Sequence, residues 1–188
     1  NIARYISSFP IPRKVELTPA DKWVLSELSK TIKKSLEGYR EFNFFIPATR
    51  VRYFTWSIFA DHYIELSKAR AYGLKGFTLQ EQRAAWYTLH TVLKTILILL
   101  APITPFITDE IWRRMYSKKS IHLQKFPRAE WSTRYAVYTE KLVKFNSHVW
   151  AMKKQKNLTL KDPINIEIPK DLRIFEKDLI AMHNIQKL

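Results

Sequence analysis

At 188 residues, 46% of them hydrophobic, the chain has room for one large domain, or one domain with an appendage, around a sizeable core. Three glycines, against a usual ~7%, argue against a loop-rich or barrel architecture, and the lack of cysteine excludes disulfide scaffolds, zinc–thiolate sites and thiol nucleophiles. Lys and Arg number 32 against 17 Asp and Glu, a net charge of +15 that fits a polyanionic partner (RNA, DNA or an acidic membrane) as well as plain solubility.

In chain order, "NIARYISS" reads as the last turns of a helix stopped by Pro10 and Pro12. "TPADKWVLSELSKTIKKSLEG" carries both helix signals. Thr18 is a cap, Pro19 suits the first position, Asp21 completes an acidic capping box, and Gly38 is the expected stop. A third helix is expected over about 43–72, with Pro47 in its first turn and Trp56, Phe59, Tyr63 and Leu66 as a buried stripe widened by Phe54 and Ile58. A turn at Gly73 and Gly76 leads to a fourth helix, about 79–100, whose core face is Ala85, Leu89, Val92, Leu93, Ile96 and Leu100. The helix breaks at Pro102 and restarts with Thr104 as cap and Pro105 at the first position.

Beyond Tyr116 the pattern loosens into a linker. From Thr133 a helix is expected with a seam of Tyr135, Tyr138, Leu142, Phe145, Val149 and Met152. "PINIEIP" alternates with period two and predicts a short strand, and "KDLRIFEKDLIAMHN" returns to helix. The fold class is therefore mainly α: an antiparallel helix bundle over 1–117, a linker over 118–132, and a small C-terminal α+β appendage over 133–188. Short connections put the loops near 9–18 and 71–78 at one end of the bundle, and the turns near 38–43 and Pro102 at the other. The apolar run "TILILLAPI" is far short of the ~20 residues that span a bilayer, no signal peptide is visible, and a start at Asn1 rather than Met reads as a piece of a longer protein.

No constellation announces an active site. Asp61 and Glu65 share a helix face, but such a pair is usually structural, with Lys68 close to Glu65. His62 and Glu65 have a possible metal spacing without converging ligands around them. Three glycines build no phosphate loop. The loop end of the bundle instead collects Arg4, Arg13, Lys14, Lys22, Lys68, Arg70, Lys75 and Arg83, with Trp23, Tyr72 and Tyr87 among them. Positive charge interleaved with rings suits single-stranded RNA, in which phosphates meet cations and splayed bases stack. A second basic cluster, Lys141, Lys144, Lys153, Lys154 and Lys156, reads as a solvated helix face.

"FTWSIFADHYIELSKARAYG" over 54–73 resembles the W-x-x-F-x-D-x-Y-I-E helix of the valyl-tRNA synthetase family, of class Ia. "LAPITPFITDEIW", "SIHLQKFP", "ADKWVLSEL" and "NIARYI", with Asn1 and Arg4 three apart, resemble further segments of that family in its order and spacing. The tail through "KKQKNLTLKDPINIEIP" is similar to archaeal-type members. The resemblance implies an anticodon-binding domain without the HIGH and KMSKS motifs of the catalytic domain, so no catalytic residue, metal site or cofactor is expected in this chain. ATP and Mg would belong to the parent's catalytic domain. The implied partners are tRNA(Val), at the A and C that are its second and third anticodon letters, and that catalytic domain; the implied setting is monomeric and cytoplasmic, without membrane. Arg4 matches the family's Arg in the first helix, Trp23 a position suited to stacking on a base, and Arg83 and Tyr87 open the fourth helix at the same end. With Lys22, Lys68 and Arg70 they form the expected tRNA-binding set. The alternatives are the equivalent domain of an isoleucyl or leucyl enzyme, and a basic helical interaction domain without RNA specificity.

Overall fold

Local capping chemistry sets the helices. In the computed structural model, which describes residues 1–13, 15–74 and 76–186, these are α1 (Ile2–Ser7), α2 (Pro19–Arg40), α3 (Phe45–Tyr53), a π-helical segment (Phe54–Ile64), α4 (Glu65–Ala71), α5 (Leu79–Leu100), α6 (Pro105–Met115), α7 (Thr139–Gln155) and α8 (Glu176–His183). Short 3₁₀ turns lie at Ile121–Leu123, Thr133–Tyr138 and Lys170–Phe175. At the head of α2 the Asp21 carboxylate accepts from the Thr18 amide at 2.9 Å while the Thr18 hydroxyl accepts from the Asp21 amide, the reciprocal box that the sequence predicts. Thr78 and Glu81 repeat it at the head of α5. Pro105 takes the first position of α6 as expected, but the Thr104 hydroxyl donates back to the Leu100 carbonyl instead of capping.

Gly38 does not stop α2. The helix runs on to Arg40, and Gly38 sits buried where α3 crosses: an added Cβ would lie 2.6 Å from Pro47 Cδ and 2.8 Å from Ile46 Cβ. The residue is small because two helices touch there.

The expected phase of the third helix fails in its middle. Phe54–Ile64 bonds i to i+5, so positions four and five apart share a face. Phe54 stacks on Phe59 at 6.4 Å and Phe59 on Tyr63 at 5.9 Å, an inward column of rings. Trp56, predicted to join that column at α-helical spacing, is turned outward and is 59% exposed.

The tail is helical, and its buried residues continue the bundle core. Among the described residues there is no strand. "PINIEIP" makes one isolated parallel bridge, Ile164 with Ile185, and prolines at both ends withhold donors from a longer ladder. Leu142, Phe145, Val149, Leu172, Phe175 and Leu179 join the same cluster as Trp23, Phe59 and Leu89. The Trp23 indole N–H donates to Thr139 Oγ1 at 3.0 Å, Thr139 donates to Glu27 at 2.7 Å, and Ser26 donates to the Ser132 carbonyl at 2.5 Å. Asn146 of α7 bridges His62 of the π segment (3.1 Å) and His183 of α8 (2.9 Å). The Lys153 ammonium is buried and donates to the carbonyls of Leu160, Asp162 and His183 at 2.7 to 2.8 Å, so it does not belong to a solvated basic face. Lys141 and Lys144 are exposed and paired with Asp171 and Glu140.

One buried ionic cluster joins these parts. Arg70, at the end of α4, is 1% exposed and makes a fork to Asp21, both bonds 3.0 Å. Its Nε donates to Asp178 of α8 at 2.8 Å, and Nη1 reaches the Glu81 carbonyl at 3.2 Å. Tyr63 donates to Asp21 Oδ1 at 2.5 Å, the oxygen that also accepts from Arg70 Nη2. The expected two-ended layout holds. Phe9 packs on Tyr72 (5.5 Å) and Trp86 (6.3 Å) at one end, and the Tyr39 hydroxyl donates to the Leu99 carbonyl (2.6 Å) at the other.

Truncating Arg70 leaves two carboxylates buried without their cation. Arg70→Ala should lower the free energy of unfolding in urea by about 3–5 kcal/mol, whereas truncation of the exposed Lys34 should stay within about 0.5 kcal/mol. Two buried groups with opposite shifts contribute to the pH profile. Burial pushes the Asp178 carboxyl up to about 6 against the pull of Arg70, and pushes His183 down to about 4. Asp178 therefore contributes stability that is full below 3.8 and lost as pH rises through about 6. His183 contributes stability that is full above 6.5 and lost as pH falls towards about 4. Across this window Asp178→Asn should make stability climb more steeply with pH than in the parent, and His183→Asn should do the reverse. Parallel profiles for all three proteins would contradict both assignments.

Candidate nucleic-acid interface

Three segments build the loop end: the turn after α1, the head of α2, and the turn from α4 into α5. His90 fixes the first of them. Its Nε2 faces the Phe9 carbonyl at 3.0 Å and so carries the proton, leaving Nδ1 to accept from the Tyr116 hydroxyl at 3.1 Å. Burial lowers the His90 pKa, which keeps the ring neutral. The Trp86 indole then donates to the Ala71 carbonyl at 2.8 Å and ties α5 to the end of α4.

On this frame Arg4, Arg13 and Arg83 are exposed and carry no ion pair among the described residues. Lys22 and Tyr87 are half-buried and Tyr72 is exposed. Val15, Glu16, Gln80 and Arg83 line a cleft of about 320 Å³. Beside it a cleft of about 420 Å³ runs past Lys22, Phe77, Glu81 and Lys177. Lys177 lies 4.7 Å over the Phe77 ring and pairs with Glu81 at 2.6 Å, so the tail contributes a cation to this end. Sequence reasoning missed Lys177, Glu16 and Gln80. Only the three-dimensional return of α8 to this end brings Lys177 in, and no local pattern marks it.

Two members of the expected set are corrected. Trp23 is fully buried, its indole N–H engaged by Thr139, so its ring is not offered to a base. Arg70 is fully buried against Asp21 and Asp178, so its charge is spent within the protein. Lys68 is half-buried and held by Glu65 at 2.7 Å, as its i+3 spacing suggests. Lys14 and Lys75 lie outside the described residues. Asp61, His62 and Glu65 do not converge. Asp61 is exposed, His62 is buried against Trp150 and Asn146 with its pKa lowered by burial, and Glu65 belongs to Lys68. Among the described residues no group of three or more His, Cys, Asp or Glu could hold a metal ion, and no helix is long and apolar enough to cross a membrane.

The end thus offers unpaired guanidinium groups, an exposed ring, and an open cleft that Glu16, Gln80 and Arg83 line. Residues 21–168 match the family described as the anticodon-binding domain of tRNA ligase. The chain belongs to that family. Over 98% of its length it is 41% identical to the valine–tRNA ligase of Pyrobaculum aerophilum, and over 97% it is 37% identical to that of Aeropyrum pernix. It spans 24% of each of those relatives. The valine–tRNA ligase of Ehrlichia canis is 40% identical over 64% of the chain, which covers 15% of that protein. The family match takes in α7 and the "PINIEI" segment, in keeping with a tail packed into the bundle core.

Trp23 and Arg83 should separate stability from binding. Trp23→Ala should cost about 3–5 kcal/mol in urea denaturation and leave RNA affinity per folded molecule unchanged. Arg83→Ala should keep stability within about 0.5 kcal/mol and weaken RNA binding, read by anisotropy of a labelled RNA at fixed salt.

Proposed function

We propose that this domain works within a valine–tRNA ligase, where it grips the anticodon stem-loop of tRNA(Val) by its loop end. The observation that carries this reading is Arg83 lining a cleft with Glu16 and Gln80, at the end of the bundle where Arg4 and Arg13 are also exposed and unpaired among the described residues, in a member of the anticodon-binding family. Cations hold the backbone phosphates. An unstacked anticodon base enters the cleft, where Glu16 accepts from an exocyclic amino group and Gln80 offers an amide. Adenine and cytosine, the letters that the valyl resemblance implies, both carry such a group. The isoleucyl and leucyl alternative loses ground because the curated relatives named above are valine–tRNA ligases.

On this reading, activation of valine with ATP and Mg²⁺ and its transfer to tRNA belong to another part of the parent enzyme, in the cytoplasm. The far end of the bundle suits contact with that part. Phe42, Phe44 and Phe45 are exposed at the turn after α2, and Phe106 and Ile107 are exposed at the head of α6. The domain positions the tRNA and performs no chemistry itself. It works as a monomer.

A valine anticodon stem-loop titrated into the chain tests the reading. Affinity should fall with salt by about 0.7 log units per log unit for each phosphate held on a single strand, and Arg4→Ala or Arg83→Ala should each remove about one such unit of slope. Exchanging the A or C should weaken binding by about 1–3 kcal/mol. Equal affinity for the exchanged loops and for heparin would instead favour a basic interaction domain.

A further inference from the structure

The half of the long helix furthest from the loop end carries a second feature that the anticodon reading does not use. Trp56, the one exposed tryptophan among the six, and Tyr53, 48% exposed, project from one side of the junction between α3 and the π segment. With Thr49, Arg52 and Ser57 they line an open cleft of about 610 Å³. An adjoining cleft of about 370 Å³ shares Thr49 and Tyr53 and adds Lys34, Phe45, Ile46 and Arg50. No Asp or Glu lines either cleft among the described residues. Two of the three cations are spoken for. Arg50 pairs with Glu27 at 3.2 Å and lies 5.6 Å over the Tyr53 ring, and Lys34 pairs with Glu37 at 2.8 Å. Arg52 is exposed and has no ion pair or side-chain hydrogen bond among the described residues. Asp61, five positions beyond Trp56 and so on the same face of the π segment, is exposed and lines neither cleft.

The geometry points to a second RNA contact here, in which an unpaired nucleotide stacks its base on Trp56 and sets its phosphate on Arg52. A large indole left in water forgoes burial that its neighbours Phe54 and Phe59 obtain. It sits beside a free guanidinium and a ring held in place by Arg50, the combination of stacking platform and cation that single strands use. The charge of the cleft is positive and unopposed within its lining, which complements a polyanion with π-faces. Trp56 lies sixteen positions before Tyr72, several helical turns away along the π segment and α4, so this site and the loop-end site take different nucleotides and can be filled together.

A fluorescein-labelled heptauridylate, which has bases but no anticodon stem, tests the assignment on the whole chain. It should quench the exposed tryptophan emission. Trp56→Leu, which keeps apolar bulk without a stacking face, should abolish that quenching and weaken binding about 5- to 150-fold, the range that base stacking supplies. Arg52→Gln should weaken binding less and lower the salt slope by about 0.7. Both variants should keep the A and C preference for the anticodon stem-loop, and Arg83→Ala should keep the heptauridylate quenching, so this site and the loop-end site fail separately. Unchanged affinity in Trp56→Leu, or the same quenching by base-free heparin, would overturn the proposal. The absence of quenching by the oligonucleotide would overturn it too and leave the surface to a protein partner.

Discussion

The head of α2, the end of α4 and the head of α5 at the loop end hang on the Arg70 guanidinium and the two carboxylates around it. Asp21 serves twice, closing the capping box of α2 and receiving the fork of Arg70. Asp178 brings α8 to the same cation, and the Glu81 carbonyl adds the head of α5. Three stretches, at residues 21, 81 and 178, are thereby fixed to one planar group. Such a cluster costs a great deal to desolvate, and apolar side chains of similar volume could be as stable. What it supplies is geometry, because a fork bonded on three edges accepts one arrangement of its partners.

This arrangement divides the basic residues into two kinds. Some cations hold the protein together: Arg70 and Lys153 are buried, and Lys177 and Lys68 are committed to nearby carboxylates. Others face solvent with no partner among the described residues: Arg4, Arg13 and Arg83 on the segments of the loop end, Arg52 beside exposed rings, and Lys33, Arg40, Lys119, Lys154 and Lys156 elsewhere. A net charge of +15 says nothing about which is which. The distinction rests on where each acid lies, and acids such as Asp21 and Asp178 are drawn inward by the fold.

Much of the frame was legible in the sequence because it is local. The box at Thr18–Asp21 needs only four neighbouring residues, and it marks the start of α2 faithfully. Loop lengths alone gave the two ends. What was not legible is what depends on distant partners. Gly38 looks like a stop signal until α3 lies across it, and "PINIEIP" looks like a strand until no sheet edge meets it. Trp23 and Arg70 sit at the right end with the right chemistry for RNA, and are claimed by Thr139 and Asp178, more than a hundred residues on. Trp56 was misplaced because periodicity assumes an unbroken α-helix, and a π segment shifts the phase.

Amide hydrogen exchange of the chain with and without a valine anticodon stem-loop reads the account most directly. The loops around 9–18 and 72–83 should gain protection on binding, with the head of α2 protected in both states by its ionic cluster and the 99–107 end unchanged. Protection that appears at 38–45 and 99–107 and leaves the loops around Arg83 untouched would contradict it.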